Sequence, residues 1–175
     1  MDRNKLGMPT TAAVAILFVA ALNRVAAPNG STSPVSDKGG PISGVAVVSD
    51  TATVETSSLS WVDVPGASAI VTIPFGWSTG LVLARFSAAA SCSFSVGGTL
   101  CSARVVVGGV EANPAGGMGH AFTQASDEGA MAIDRSLGSL PPGRYVVSAQ
   151  LAVTDPSALF VVSDWSLTVE KARES

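Results

Sequence analysis

The chain has few charges, few aromatic rings and very few residues that bind transition metals. Only 13% of its 175 residues are charged and 6% are aromatic, and it contains one histidine and two cysteines. It is also poor in Lys, Glu and Leu, which a helical bundle would use. Since one histidine cannot hold a transition metal without carboxylate or thiolate help, we expect no metal site and no other cofactor.

Basic side chains are scarce after residue 27. Residues 28–175 contain seven basic and twelve acidic side chains, a net charge of −5 with histidine neutral. A phosphate-binding surface needs clustered Lys and Arg, whereas these basic residues are scattered singly. The composition therefore disfavours nucleic acid and anionic membrane surfaces as partners. The scattered residues are Lys38, Arg85, Arg104, Arg135, Arg144, Lys171 and Arg173.

One apolar run, residues 12–22, follows the basic residues Arg3 and Lys5 and precedes Val25-Ala26-Ala27. This order is typical of a secretory signal peptide, which we assign to residues 1–27. The run is well below the roughly 20 residues that span a bilayer, so we expect no stable membrane span. Pro28 disfavours cleavage after Ala27. The protein is therefore expected outside the cell, or at the cell envelope if the leader is retained.

Residues 28–44 are rich in Pro, Ser and Gly, and we interpret them as a flexible linker. From residue 45 to 175 the dominant pattern is alternation of apolar and polar residues with period two, which predicts short antiparallel strands. We expect one all-β domain, a β-sandwich or jelly roll. Residues 126–137 stay open between helix and strand. The expected strands are 45–49, 59–64, 68–73, 80–90, 91–96, 101–107, 120–124, 130–137, 144–153 and 164–170.

Cys92 and Cys101 are the only cysteines, and in an exported protein an even pair indicates a disulfide. Each lies on the apolar face of its predicted strand. If the two strands form a hairpin that turns near residues 96–98, the cysteines lie opposite each other and within bonding distance. We therefore predict a structural disulfide that holds a hairpin.

Gly76-Trp77-Ser78-Thr79-Gly80 matches the Gly-x-Ser-x-Gly pattern of a hydrolase nucleophile. That motif works where a strand turns sharply into a helix, but the residues after it resemble a strand. Glu111 and His120 are the residues that could complete a catalytic set. We interpret Ser78 as a loop residue and expect no catalytic site.

The remaining candidates for binding chemistry are acidic and aromatic side chains. Asp127, Glu128 and Asp134 lack the spacing of a calcium loop and are interpreted as a solvated acidic turn. Trp61 and Trp165 are expected in the core. Trp77 is expected to be exposed in a turn, and one exposed ring makes a weak sugar-binding platform.

Certain segments of the chain form a recognisable set: Trp61-Val-Asp-Val-Pro-Gly-Ala67, Leu83-Ala-Arg-Phe-Ser-Ala88, the Cys92/Cys101 pair, Leu140-Pro-Pro-Gly143 and Asp164-Trp-Ser-Leu-Thr-Val-Glu170. Together they resemble a group of small exported β-sandwich proteins from high-GC Gram-positive bacteria. The resemblance spans residues 45–172; it implies the fold, the export and the disulfide, and brings no activity with it. The general shape is also similar to jelly rolls of the C1q and tumour-necrosis-factor type, which trimerise and bind partners.

The sequence thus favours an exported, non-enzymatic domain with a binding or structural role at the cell envelope or outside the cell. The alternative is a secreted carbohydrate-active module, either sugar-binding or hydrolytic. The partner stays open between a protein and an envelope glycan, and a homo-oligomer stays open as well.

Overall fold

The computed structural model describes residues 38–94, 97–116, 119–122 and 129–175, all within the compact unit Pro34–Ser175. These residues form ten β-strands and no helix, which confirms the predicted all-β fold class. Within these ranges there is accordingly no helix that could cross a membrane. The strands are β1 (Gly39–Asp50), β2 (Val54–Thr56), β3 (Val62–Ile73), β4 (Gly80–Ser93), β5 (Cys101–Val107), β6 (Val110–Glu111), β7 (His120–Phe122), β8 (Gly129–Leu140), β9 (Gly143–Val153) and β10 (Leu159–Glu174).

The strands form two antiparallel sheets that pack against each other as a β-sandwich. Sheet A has the order β1-β10-β4-β8, and β2 pairs with β10 beyond the end of β1. Sheet B has the order β3-β9-β5-β6, and β7 pairs with β5 beyond the end of β6. The edge strands β1 and β3 contact each other along one side of the sandwich. At the opposite side, Asn113 bridges from the end of β6 to Ser136 of β8.

The period-two pattern predicts correctly which side chains of the long strands face the core. Successive side chains of a strand point to opposite faces of its sheet, so alternate apolar residues reach the space between the sheets. The largest fully buried side chains include Phe86 of β4 and Phe160 of β10. Other core positions with the expected parity are Ala88, Ala90, Cys92, Cys101, Ala103, Val105, Val107, Val147, Ala149, Leu151, Trp165, Leu167 and Val169.

The disulfide between Cys92 and Cys101 is present, but the predicted hairpin is wrong. β4 belongs to sheet A and β5 to sheet B, so the two strands are not paired. Cys92 pairs instead with Phe160, and Cys101 pairs with Val153. Both cysteines are buried, and their Cα atoms are 5.9 Å apart. The bond therefore links the two sheets across the core.

Some strand boundaries differ from the prediction. β1 begins at Gly39, six residues before the predicted domain start, because Gly39–Gly44 pair with the end of β10 through two bulges. The predicted strands 59–64 and 68–73 are joined in the single strand β3, where Pro65-Gly66 form an irregularity and Gly66 has a φ of 80°. The predicted strands 80–90 and 91–96 are one strand up to Ser93. Within 126–137, the described part belongs to strand β8. The predicted leader lies outside the described residues.

Candidate functional site

The outer face of sheet B carries a row of hydrogen-bonded polar side chains. Asp63 of β3, Gln150 of β9 and Arg104 of β5 are direct cross-strand neighbours. Arg104 Nε donates to Gln150 Oε1 at 2.8 Å, and Gln150 Nε2 donates to Asp63 Oδ1 at 2.9 Å. Ser148 Oγ donates to the same Asp63 oxygen at 3.2 Å. Each side chain is thus oriented by its neighbour on a rigid sheet.

Arg104 also joins this row to an aromatic ring and to a carboxylate. Its guanidinium carbon lies 4.4 Å from the centroid of the Trp61 ring, within cation–π range. Its Nη1 lies 3.6 Å from Glu111 Oε2, and the Arg104 and Glu111 side chains are only 21% and 12% exposed. We call Trp61, Asp63, Arg104, Glu111, Ser148 and Gln150 the Arg104 cluster.

Gly119 packs against the Trp61 ring. It has a φ of 62°, and a Cβ at this position would lie 2.5 Å from the Ala103 carbonyl oxygen and 2.7 Å from Trp61 Cη2. Trp61 is therefore half-buried on the outer face of sheet B, and Leu59 is 60% exposed. The expectation that Trp61 lies in the core is wrong, because Trp61 precedes β3 and packs outside the sandwich.

The Arg104 cluster offers hydrogen-bonding groups to a ligand. Asp63 is exposed, and Ser148 and Gln150 are partly exposed beside it. A carboxylate, a hydroxyl and an amide can together donate to and accept from hydroxyl groups. Because their mutual hydrogen bonds hold them in place, little conformational entropy would be lost on binding.

A second polar surface lies on the outer face of sheet A. Here a groove of about 250 Å³ runs past Arg85, Asp134, Thr168 and Glu170. Arg85 Nε contacts Asp134 Oδ1 at 2.6 Å, yet the two side chains are 63% and 67% exposed. The hydrogen bond that Arg85 donates to Asp134 raises the pKa of Arg85 above its ordinary value. Water screens an ion pair this exposed, so it contributes little to stability.

Arg135 lies on β8 beside this groove, and its Nε differs from that of Arg85: Arg85 Nε has a hydrogen-bond acceptor, whereas Arg135 Nε has none among the described residues. Burial lowers its pKa from the ordinary arginine value, although Glu111 and Asp134 act in the opposite direction. Its Nη1 donates to the Asp134 carbonyl, but its buried Nε has no partner among the described residues. Trp165 Nε1 is the other buried side-chain nitrogen in the described residues without a partner.

The residues considered for a catalytic set lie far apart. Ser78 is exposed in the turn between β3 and β4, so a strand follows it as predicted. This turn lies near the start of β9, because Ile73 at the end of β3 pairs with Gly143. His120 pairs with Ala103, which pairs with Leu151 near the other end of β9. Gly143 and Leu151 are eight positions apart on an extended strand, which is about 27 Å at 3.4 Å per residue. Ser78 and His120 therefore cannot act on one substrate bond.

In the turn after β3, a second tryptophan differs from the sequence-based expectation. Trp77, expected to be exposed, is half-buried and packs against the core. The side chain at the tip of that turn is instead Phe75, which is 91% exposed. Asp127 and Glu128 lie outside the described residues, and Asp134 is the partner of Arg85. No group of three or more potential metal ligands occurs in the described part of the chain.

Sequence reasoning missed the Arg104 cluster. Ser148 and Gln150 alternate with the core residues of β9, and Arg104 alternates with those of β5, so their outward orientation could be inferred. That β9 lies between β3 and β5 could not be inferred, because neither neighbour is adjacent to it in the chain. No protein-family model matches this chain, and no curated protein has a significantly similar sequence.

Proposed function

We propose that the protein is an exported, non-enzymatic domain that binds a partner at the cell envelope or outside the cell through the outer face of sheet B. The observation that carries this proposal is the row Asp63–Gln150–Arg104, in which the exposed Asp63 and the partly exposed Gln150 are held by hydrogen bonds of 2.8 and 2.9 Å. Binding surfaces on rigid strands need less ordering than surfaces on loops.

Export is supported by the leader pattern in residues 1–27 and by the Cys92–Cys101 disulfide. Disulfides persist in oxidising compartments and are rare in the cytosol of most organisms. A reporter fused after residue 44 should leave the cytoplasm, and Leu17→Arg in the apolar run should prevent this. Normal export of the Leu17→Arg fusion would refute the leader assignment. Mass spectrometry of the exported protein would locate any cleavage near Ala27.

A carbohydrate-binding module is the second candidate function, and the position of Trp61 favours it. Sugar sites combine an aromatic ring with carboxylate and amide groups that bond hydroxyls, and Trp61 lies over Arg104 in the same cluster as Asp63 and Gln150. Hydrolysis would require two carboxylates facing each other across a cleft. Of the two carboxylates in the cluster, Glu111 is engaged by Arg104.

Asp63→Ala tests the binding surface, with Asp134→Ala as the matched control. Both side chains are exposed and both substitutions remove one negative charge, but Asp134 lies on sheet A. The probes are purified envelope polysaccharides and envelope proteins immobilised on a biosensor. We expect Asp63→Ala to weaken binding at least tenfold and Asp134→Ala to leave it unchanged. Equal binding by both variants would refute this surface, and release of reducing sugar ends would favour a hydrolase.

A further inference from the structure

The sandwich has two sides between its sheets, which we call the near side, where β1 and β3 meet, and the far side, where β6 and β8 meet. The two sides are closed differently. On the far side, the chain leaving β6 crosses from sheet B to sheet A: Ala112 N donates to Val105 O at 3.0 Å, and Asn113 N donates to Ser136 O at 2.6 Å. On the near side, the edge strands β1 and β3 border a groove of about 260 Å³. Among the described residues, β1 pairs only with β10, so one edge of its backbone is unpaired.

Pro41 and two bulges protect the first part of β1, and Asp50 is charged at its end, but the regular segment between them lacks the features that usually prevent strand pairing between molecules. Natural edge strands are protected by charged side chains, prolines or short length. Val45–Ser49 contain none of these within a 12-residue strand. Val45 and Val47 are 59% and 60% exposed on the outer face of sheet A. The one charged residue lining the groove, Lys171, donates its Nζ to Thr72 O at 2.8 Å.

The sequence of β1 is nearly symmetric about Ala46. Residues 43–49 have the sequence Ser-Gly-Val-Ala-Val-Val-Ser, which is the same in both directions except at one pair of positions. Gly44 and Val48 form that pair, and exact symmetry would require the same residue at both. In an antiparallel pair of two such strands centred on Ala46, Val45 lies opposite Val47 of the partner subunit. A twofold axis makes the reverse contact as well. Four valines would then form one apolar cluster across the axis.

We propose that two copies of this chain form a homodimer by antiparallel pairing of their β1 strands about Ala46, so that sheet A continues from one copy into the next. The pairing satisfies the unpaired β1 backbone groups and packs Val45 beside Val47 of the partner subunit. Directly opposed valines are favourable cross-strand pairs. This inference is independent of the proposed ligand surface, which lies on sheet B.

The near side has enough area for a dimer. The regular part of β1, Gly44–Asp50, is about 24 Å long, and the whole strand is about 40 Å long at 3.4 Å per residue. Two sheets about 10 Å apart, with their side chains, present a wall roughly 20 Å high. The wall measures about 500–800 Å² per copy, or roughly 1,000–1,600 Å² for two, the range of specific interfaces.

Sedimentation equilibrium of the exported protein tests the dimer. We expect the wild type to be dimeric, and Val47→Lys to raise the dissociation constant at least tenfold because two ammonium groups would be placed beside the axis. Val110→Lys is the control, since Val110 is 56% exposed but lies on β6 at the far side. A monomeric wild type overturns the proposal, and so does a Val47→Lys variant as dimeric as Val110→Lys.

Cross-linking provides a second measurement that does not depend on the folding of Val47→Lys. Ala46→Cys places one thiol of each copy at the axis, where opposed Cα atoms are about 4.5–5.5 Å apart and within disulfide range. We expect a disulfide-linked dimer from this variant and none from Ala132→Cys, an exposed position on β8. Absence of the Ala46→Cys cross-link overturns the proposal. A wild-type monomer with exchange-protected β1 amides would assign this edge to another segment of the same chain.

Discussion

The disulfide between Cys92 and Cys101 acts on the folded core as well as on the unfolded chain. Closing a loop between residues nine positions apart stabilises the protein by about 2–3 kcal/mol on the chain-entropy estimate. Both sulfurs also fill space between the sheets, because the two residues are 1% and 0% exposed. Removal of the bond and removal of the side chains should therefore have different effects.

We predict that reduction of the wild type lowers the free energy of unfolding by about 2–3 kcal/mol. Cys92→Ala with Cys101→Ala should lower it by a further 1–2 kcal/mol or so, because the smaller side chains leave a cavity. Urea unfolding of the oxidised, reduced and doubly substituted proteins measures both contributions. If reduced wild type and the double variant are equally stable, the sulfurs do not contribute to core packing.

The two ion pairs Arg85–Asp134 and Arg104–Glu111 differ in distance and, in the opposite sense, in burial. The Arg85–Asp134 pair is short, at 2.6 Å, but more than 60% exposed, whereas Arg104–Glu111 is 3.6 Å and largely buried. We predict that Glu111→Gln lowers the free energy of unfolding by about 1–3 kcal/mol, since Arg104 loses its charged partner in a poorly solvated site. Asp134→Asn should leave the melting temperature unchanged. The reverse order in thermal melts would contradict this reading.

At the scale of the element, Gly119 lets β7 lie close to β5 and to Trp61, because it has no side chain to collide with them. We predict that Gly119→Ala destabilises the protein by about 2–3 kcal/mol, from left-handed backbone strain and from the contact with Ala103. Gly109→Ala is the control: its φ is 85°, but an added Cβ would meet nothing within 4 Å, so only about 1 kcal/mol is expected. Denaturant unfolding measures the difference; equal costs would exclude the contact with Trp61 and Ala103 as its cause.

The β9–β10 turn is stabilised by one carboxylate. Asp155 Oδ1 accepts hydrogen bonds from Ser157 Oγ at 2.6 Å and Ser157 N at 2.8 Å, which lower the pKa of Asp155. Since the folded-state pKa is depressed, this stabilisation is present above the unfolded-state pKa of about 3.9 and is lost as pH falls through the folded-state value. We predict that Ser157→Ala raises the pKa of Asp155. An unchanged carboxyl titration by NMR would refute it.

At the scale of the whole molecule, the sandwich is held by one core to which both sheets contribute. Phe86 of sheet A is fully buried in it, whereas Phe75 is 91% exposed at a turn. Because the chain crosses repeatedly between the sheets, neither sheet is a separate segment of sequence. Loss of core packing should therefore unfold both sheets together.

We predict that Phe86→Ala lowers the free energy of unfolding by about 3–5 kcal/mol, and that Phe75→Ala changes it by less than about 0.5 kcal/mol. Circular dichroism and tryptophan fluorescence should give the same midpoint in each variant, because unfolding is cooperative. Separate midpoints for the two signals in Phe86→Ala would show that the sheets unfold independently.

Local pattern was enough to predict the all-β class, the core-facing side of β9 and β10, the strand after Ser78 and the pairing of the cysteines. These features depend on the period of two, on turn-forming residues and on a choice between only two cysteines. The predictions for Trp61 and Trp77 are wrong for different reasons. Trp61 precedes β3 and does not follow the parity of the strand, and Trp77 packs against the core although it lies in a turn.

Which strands become neighbours was decided only by the tertiary structure. Consecutive strands such as β4 and β5 could pair in one sheet or face each other in two, and the same alternation is compatible with both arrangements. Burial of both apolar faces against each other selects the sandwich, which turns the expected hairpin disulfide into a link between sheets. The same packing places β9 between β3 and β5 and so assembles the Arg104 cluster from three distant segments, a juxtaposition that no local pattern encodes.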